Sequence, residues 1–342
     1  METFIALSPA DRLLYCRQAS ERLPFPLPPA VIEKDFWVSW LLKLLMELPE
    51  TRGRLTFKGG TSLSKGWNLI DRFSEDIDLA LDRSLFGHAP PHGAENAKSN
   101  SKRKDRIEEL GEAGAEWITN TLIPALRARI AELLPDENWT LEPKMKGKEV
   151  NVEFRYPGSL QGELGALLPV VLVELVPRAD DQPNGPRTIT PLVHEALSDL
   201  LGPASFEVPT LAPERTLLEK AMFLHETVAG FNTGSERKSR HYYDLLKLIG
   251  AGFGASAIAD RALFEMVIAH RRTFYRYNAL DYDEILRSGI TIVPLEAQWP
   301  DWRGDYDRTS AMIYRDRPTF DELMQVAQAY QDTFNAWVAR NG

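Results

Sequence analysis

The chain has 342 residues, enough for about two domains, and its 44% hydrophobic and 10% aromatic content is that of an ordinary folded protein. A single cysteine, Cys16, excludes an intrachain disulfide and a thiolate zinc site, and agrees with a reducing cytoplasm as the location. The net charge of −9 argues against a protein coated in DNA or RNA, while a local basic patch remains open for a nucleic-acid substrate.

The N-terminus has no basic region followed by an apolar one, so no leader peptide is expected. Cys16 falls in a predicted helix over 11–21 with no histidine nearby, which reads as an idle or buried thiol rather than a nucleophile. Pro24, Pro26, Pro28 and Pro29 separate it from a second helix over 31–47, where Ile32, Phe36, Trp40 and Leu44 recur at helical spacing. Residues 54–82 read as strand, helix, strand. Residues 83–105 are polar and contain Pro90, Pro91, Lys98, Lys102, Arg103 and Lys104, the composition of a flexible loop. A helix over about 106–134 follows, then three strands over 140–145, 149–156 and 170–176, rich in branched apolar residues. The longest apolar run, 167–176, carries Glu174 and falls well short of the roughly 20 residues that cross a membrane. Pro186, Pro191, Pro203 and Pro209 punctuate a transition, and from Pro213 the pattern is mainly helical. The predicted division is a core over 1–205 and a helical domain over 206–342.

The richest segment is Lys58-Gly59-Gly60-Thr61-Ser62-Leu63-Ser64-Lys65 followed by Arg72-Phe73-Ser74-Glu75-Asp76-Ile77-Asp78-Leu79. A strand over 55–58 meets two glycines, which let backbone approach a ligand with no Cβ in the way. Thr61 or Ser62 then caps a helix running through Leu63, Lys65, Trp67 and Ile70, and a helix N-terminus suits an anion such as phosphate. Side chains alternate along a strand, so Asp76 and Asp78 share one face while Ile77 and Leu79 enter the core. Two adjacent carboxylates repel unless a cation sits between them, and Mg²⁺ takes oxygen ligands while keeping positions for substrate phosphates. The pattern is neither a P-loop nor a dinucleotide fingerprint.

Further along, Glu174 interrupts Val170-Val171-Leu172-Val173-Glu174-Leu175-Val176. A buried unpaired carboxylate is costly, so Glu174 calls for a partner, whether a metal, a salt bridge or water at the strand end. Glu153 is a weaker candidate, placed by simple alternation on an exposed face. Pro213 opens a helix carrying Leu218-Glu219-Lys220. Ser239-Arg240-His241-Tyr242-Tyr243-Asp244-Leu245 lies on another, where a local pair between Asp244 and Lys247 is the plain alternative to a site role. Arg237, Lys238 and Arg240 could meet phosphate or form a solvated turn. Arg271, Arg272 and Arg276, interleaved with Phe274, Tyr275 and Tyr277, fit either RNA stacking or ordinary helix packing.

The glycine turn followed by Asp-x-Asp resembles the nucleotidyltransferases of the DNA polymerase β superfamily. More narrowly, the two quoted segments, the Leu-Glu-Lys at 218–220 and the Arg-x-x-Tyr-Asp-Leu at 240–245 resemble the AbiEii/AbiGii toxin family, which includes MenT-type toxins. The resemblance covers roughly residues 30–250. It implies an α+β fold, with a polymerase β-like nucleotidyltransferase core of small mixed sheet and flanking helices plus a C-terminal, mainly helical domain that contributes Lys220 and Asp244. It also implies that Glu174 matches the third metal-site acid, that Lys220 faces the nucleotide and that Asp244 belongs to the active site.

The expected reaction is metal-dependent nucleotidyl transfer from an NTP. Asp76, Asp78 and Glu174 would hold two Mg²⁺ ions. Backbone at Gly59, Gly60, Thr61 and Ser62 would cradle the phosphates, with Lys58, Lys65 and Lys220 adding positive charge. The resemblance further implies a tRNA 3′ end as acceptor and a separately encoded antitoxin as partner, with no membrane involved. The alternatives are a small-molecule or protein nucleotidyltransferase, a phosphotransferase, and a non-catalytic NTP-binding module.

Overall fold

The computed structural model describes residues 1–25, 27–135, 138–159, 168–231 and 237–341. Pro26 and Leu167, both named above, lie outside the described residues. The chain forms two compact units: Met1–Gly66 with Phe73–Thr210, and Trp67–Arg72 with Leu211–Gly342.

The first unit begins with helices α1 (Glu2–Ile5), α2 (Pro9–Arg22) and α3 (Pro29–Glu47). Local chemistry sets their starts. The Ser8 side chain accepts the Asp11 N–H while Pro9 opens α2, and Pro29 opens α3. Strand β1 (Leu55–Lys58), the single turn α4 (Gly59–Thr61) and β2 (Ile77–Leu81) follow. Next come α5 (Asn100–Trp117) and α6 (Ile123–Leu133), joined by a wider π turn over Ile118–Leu122. Strands β3 (Thr140–Lys146), β4 (Glu149–Arg155), β5 (Val170–Val176) and β6 (Asn184–Ile189) precede the short helices α7 (Leu192–Ala196) and α8 (Ser198–Leu201) and the last strand, β7 (Phe206–Leu211).

The strands form one mixed sheet in the order β3-β4-β5-β2-β1-β7-β6. The α+β reading therefore holds, with a seven-stranded sheet and flanking helices. Burial alternates along β5, where Val171, Val173 and Leu175 are buried and Glu174 is half-buried. Register places Ile77 beside Val173 and Leu79 beside Leu175, which continues the apolar face into β2. Helices α3, α5 and α6 contact β5, β4 and β3 respectively. The aromatic centre of this core lies on α3, where Trp37 stacks on Tyr156 with ring centroids 5.5 Å apart and Trp40 meets Phe154 at 5.9 Å.

Three local expectations need correction. The turn helix starts at Gly59 rather than being capped by Thr61 or Ser62, and it closes as a π turn at Gly66 instead of running on through Ile70. Asn68 at φ 51° cannot continue a helix. The segment read as loop to 105 is helical from Asn100, because the Ser99 side chain accepts the Lys102 N–H, so Lys102, Arg103 and Lys104 lie on α5. Strands β6 and β7 occupy the transition that the prolines punctuate.

The second unit is helical in its elements: α9 (Pro213–Val228), α10 (Arg240–Gly250), α11 (Phe253–Ala259), α12 (Arg261–Phe274), α13 (Tyr282–Ser288), α14 (Trp299–Ser310) and α15 (Phe320–Asn341). Segment 67–72 joins this unit through a bridge from Arg72 to Ile313 and a Tyr314 N–H bond to the Asp71 carbonyl. The arginine–aromatic cluster at the end of α12 is split between core and surface, with Arg271 and Phe274 buried and Arg276 exposed. Arg271 is buried on Glu226 and its guanidinium lies 4.6 Å from the Tyr275 ring centroid, while Arg272 pairs with Asp283. Among the described residues no helix is long and apolar enough to cross a membrane.

Candidate functional site

In the first unit a row of polar side chains crosses the sheet. Lys58 of β1 is the register partner of Asp78 of β2, and Asp78 that of Glu174 of β5. Neighbours in register share a face, so these three residues stand side by side opposite the apolar core. Asp76 precedes β2 by one residue. Gly59 has φ +78°, and a Cβ there would fall 2.0 Å from Asp78 Oδ2. Glycine is thus required twice, for its backbone angle and for the closeness of its Cα to the carboxylate.

Hydroxyls fix the turn against the acidic loop. Thr61 Oγ1 bonds the Asp76 carbonyl oxygen at 2.5 Å and the Ser74 hydroxyl at 2.9 Å. Ser62 donates to the Gly59 carbonyl at 3.0 Å. Gly60, Thr61 and Ser62 are buried. The Lys65 ammonium is held by Asp35 at 2.5 Å in a nearly buried pair. Glu174 has its partner in Lys146 of β3, Nζ to Oε1 3.0 Å. Burial alone would lower the Lys146 ammonium, but Glu174, with Glu149 and Asp78 beyond it, reverses this and raises it. Glu153 pairs with Lys144 at 3.4 Å.

Mg²⁺ binds through one or two carboxylates together with substrate phosphates. Asp76 and Asp78, beside a glycine turn that leaves no room for a Cβ, fit that demand. Among the described residues no group of three His, Cys, Asp or Glu converges to hold a metal by itself.

The second unit holds the other two predicted residues, and it joins them. Asp244 is fully buried and binds Arg72 through two contacts, 2.7 Å to Nε and 2.8 Å to Nη2, and Lys220 Nζ at 2.8 Å. Lys220 also lies 3.4 Å from His241 Nδ1. Burial opposes the charged carboxylate, yet Arg72 and Lys220 overcome it and hold Asp244 well below the usual range. Burial pushes the Lys220 ammonium down, with Asp244 resisting, and keeps His241 neutral by moving it well below its ordinary value. The local Asp244–Lys247 pair does not form, because Lys247 is taken by Asp71 at 2.6 Å. Arg72 sits inside the quoted motif and was nevertheless missed as the partner of Asp244, since the two are 172 residues apart in sequence. The basic stretch before α10 is occupied too, with Lys238 over the Trp302 ring at 4.4 Å.

A sequence profile of the family described as nucleotidyl transferase AbiEii toxin, type IV TA system, matches residues 40–326. The chain belongs to the AbiEii family of nucleotidyltransferase toxins. No curated protein matches it in sequence. Among solved structures it is similar to MenT4, a nucleotidyltransferase toxin from Mycobacterium tuberculosis H37Rv, at 16% identity and a TM-score of 0.41, with 98% of this chain and 99% of that one covered. As an AbiEii-type chain it is a toxin-class nucleotidyltransferase of a two-component system, in which a nucleotide is the substrate and an antitoxin the counterpart.

Proposed function

We propose that this protein is a Mg²⁺-dependent toxin that transfers a nucleoside monophosphate from an NTP to the 3′ end of a tRNA, acting in the cytoplasm and opposed by a cognate antitoxin. The observation that supports the chemistry best is the contact between the Gly59 backbone and the Asp78 carboxylate, with Asp76 one step before the strand and Glu174 abreast of Asp78. Asp76, Asp78 and Glu174 would hold two Mg²⁺ ions, which supply charge stabilisation to the attacking and leaving oxygens. The backbone of Gly59, Gly60, Thr61 and Ser62 receives the β- and γ-phosphates, and Lys58 adds positive charge. The Thr61 hydroxyl holds the loop that carries Asp76. The acceptor hydroxyl attacks the α-phosphorus, a new P–O bond forms as its O–H proton is released to water, the bond to the β-phosphate breaks, and pyrophosphate departs. Within the second unit, Asp244 holds the Lys220 ammonium oriented.

The test is incubation with each α-labelled NTP, Mg²⁺ and total bacterial tRNA, alongside Asp76→Ala. Label on tRNA that vanishes in the variant is the expected result. Label on protein, or transfer from γ-labelled instead of α-labelled NTP, overturns the acceptor or the reaction class respectively.

A further inference from the structure

Helix α3 carries three successive charged residues, Glu33, Lys34 and Asp35, at 0%, 3% and 5% exposure, inside a helix whose other buried residues are apolar except Ser39. Charge buried in this way is costly unless each group is paired in good geometry, so its presence asks for a purpose. The partners are specific. Lys34 Nζ donates to the Glu75 carboxylate and to the Leu168 carbonyl at 3.1 Å. Asp35 accepts from Lys65 Nζ at 2.5 Å through one oxygen and from the Leu192 N–H at 2.7 Å through the other. Glu75 immediately precedes Asp76, and Lys65 lies in the turn that begins at Gly59. Successive helix residues point about 100° apart, so one turn of α3 reaches two separate segments.

We propose that Lys34 and Asp35 are positioning residues of the nucleotide site: together they grip the acidic loop through Glu75 and the glycine turn through Lys65, and so set the spacing between Asp76 and the backbone that receives the phosphates. This rests on the nucleotidyl-transfer reading above and adds to it the device that fixes its geometry. Neither side chain touches the nucleotide. The Thr61 bond to the Asp76 carbonyl closes the same two segments from the other side, so the cradle is tied at two levels. Alternating signs along the dipeptide, plus on Lys34 and minus on Asp35, also prevent the two grips from exchanging partners.

The experiment compares wild type with Lys34→Met/Glu75→Gln, which removes both charges of this ion pair together. It reads three quantities: the melting temperature, the affinity for Mn²⁺ with a non-hydrolysable nucleoside triphosphate by calorimetry, and the kcat of α-label transfer. The expected result is a kcat lower by about 100-fold, the scale of an ångström-sized misplacement, with weaker Mn²⁺–triphosphate binding and a melting temperature within a few degrees of wild type. A variant that keeps both kcat and affinity within about twofold of wild type overturns the proposal, whatever its melting temperature. If the pair fails to fold, Lys34→Arg decides, because it keeps the charge and alters only the reach. Lowered kcat at an unchanged melting temperature upholds the proposal, and unchanged kcat overturns it. Wild-type protein that binds Mn²⁺–triphosphate but labels nothing defeats the transfer reading alone and leaves the affinity comparison to decide this one. Wild-type protein that binds no Mn²⁺–triphosphate defeats both.

Discussion

Two aspartates in this molecule live in opposite circumstances. Asp78 stands half-exposed on a strand, pressed against a glycine and flanked in register by Lys58 and Glu174. Asp244 is sealed on a helix, with the Arg72 guanidinium and the Lys220 ammonium both bound to it. In the proposed reaction the first arrangement takes a cation that comes and goes with the nucleotide. The second has its neutralising charge built in, and its loss would leave two cations in a low-dielectric interior. The difference teaches that a carboxylate's role is set less by the residue than by its setting, half-open to solvent for Asp78 and sealed among cations for Asp244.

The largest expected effect separates the two at once. Asp78→Asn should lower α-label transfer by roughly 1000-fold, the scale of several kcal/mol of charge stabilisation, while the melting temperature moves little. The opposite pattern is expected for Asp244→Ala. It should destabilise the fold by about 3–5 kcal/mol in urea titration, because Arg72 and Lys220 remain buried without their anion. The stabilisation from Asp244 is present above the unfolded carboxylate value of about 3.9 and is lost only as acid titrates it well below that, so no loss from this group is expected near neutrality. A substitution between these extremes is Gly59→Ala. Its Cβ would collide with Asp78 Oδ2, and the positive φ adds about 1–2 kcal/mol of strain, so both triphosphate affinity and melting temperature should drop.

The smallest effect concerns pH. His194 of α7 is buried beside Phe36, and burial, aided by the N-terminal ammonium, pulls its pKa down to about 4. The unfolded chain then binds a proton that the native state refuses between pH 6.5 and about 4. Stability should therefore fall on acidification through that window, by up to about 1.4 kcal/mol per pH unit from this residue. Thermal melts between pH 7.5 and 5 check it, with His194→Leu expected to flatten the slope.

Much of this was legible in the residues. Leu55–Lys58 and Val170–Val176 have the boundaries that branched apolar runs and flanking glycine or proline indicate. The pairing of Asp78 with Glu174 follows once β2 and β5 run parallel in register, which no local pattern reveals. Strand β6 was hidden because Pro186 reads as punctuation, yet it is an edge strand, where proline costs no ladder bond that matters. The ion pair of Lys65 with Asp35 was not legible, because Asp35 is 30 residues earlier, in a helix read only for its apolar positions. A signal was present there: three charges in succession on a mostly apolar helix need buried partners.

The most direct measurement is α-label transfer to tRNA by wild type and Asp78→Asn at matched folded fraction, each with Mg²⁺ and with EDTA. Transfer by the wild type in Mg²⁺ alone, and by the variant in neither condition, is the expected result. Transfer that persists in EDTA, or a folded Asp78→Asn protein working near the wild-type rate, would contradict a carboxylate-held metal at the glycine turn.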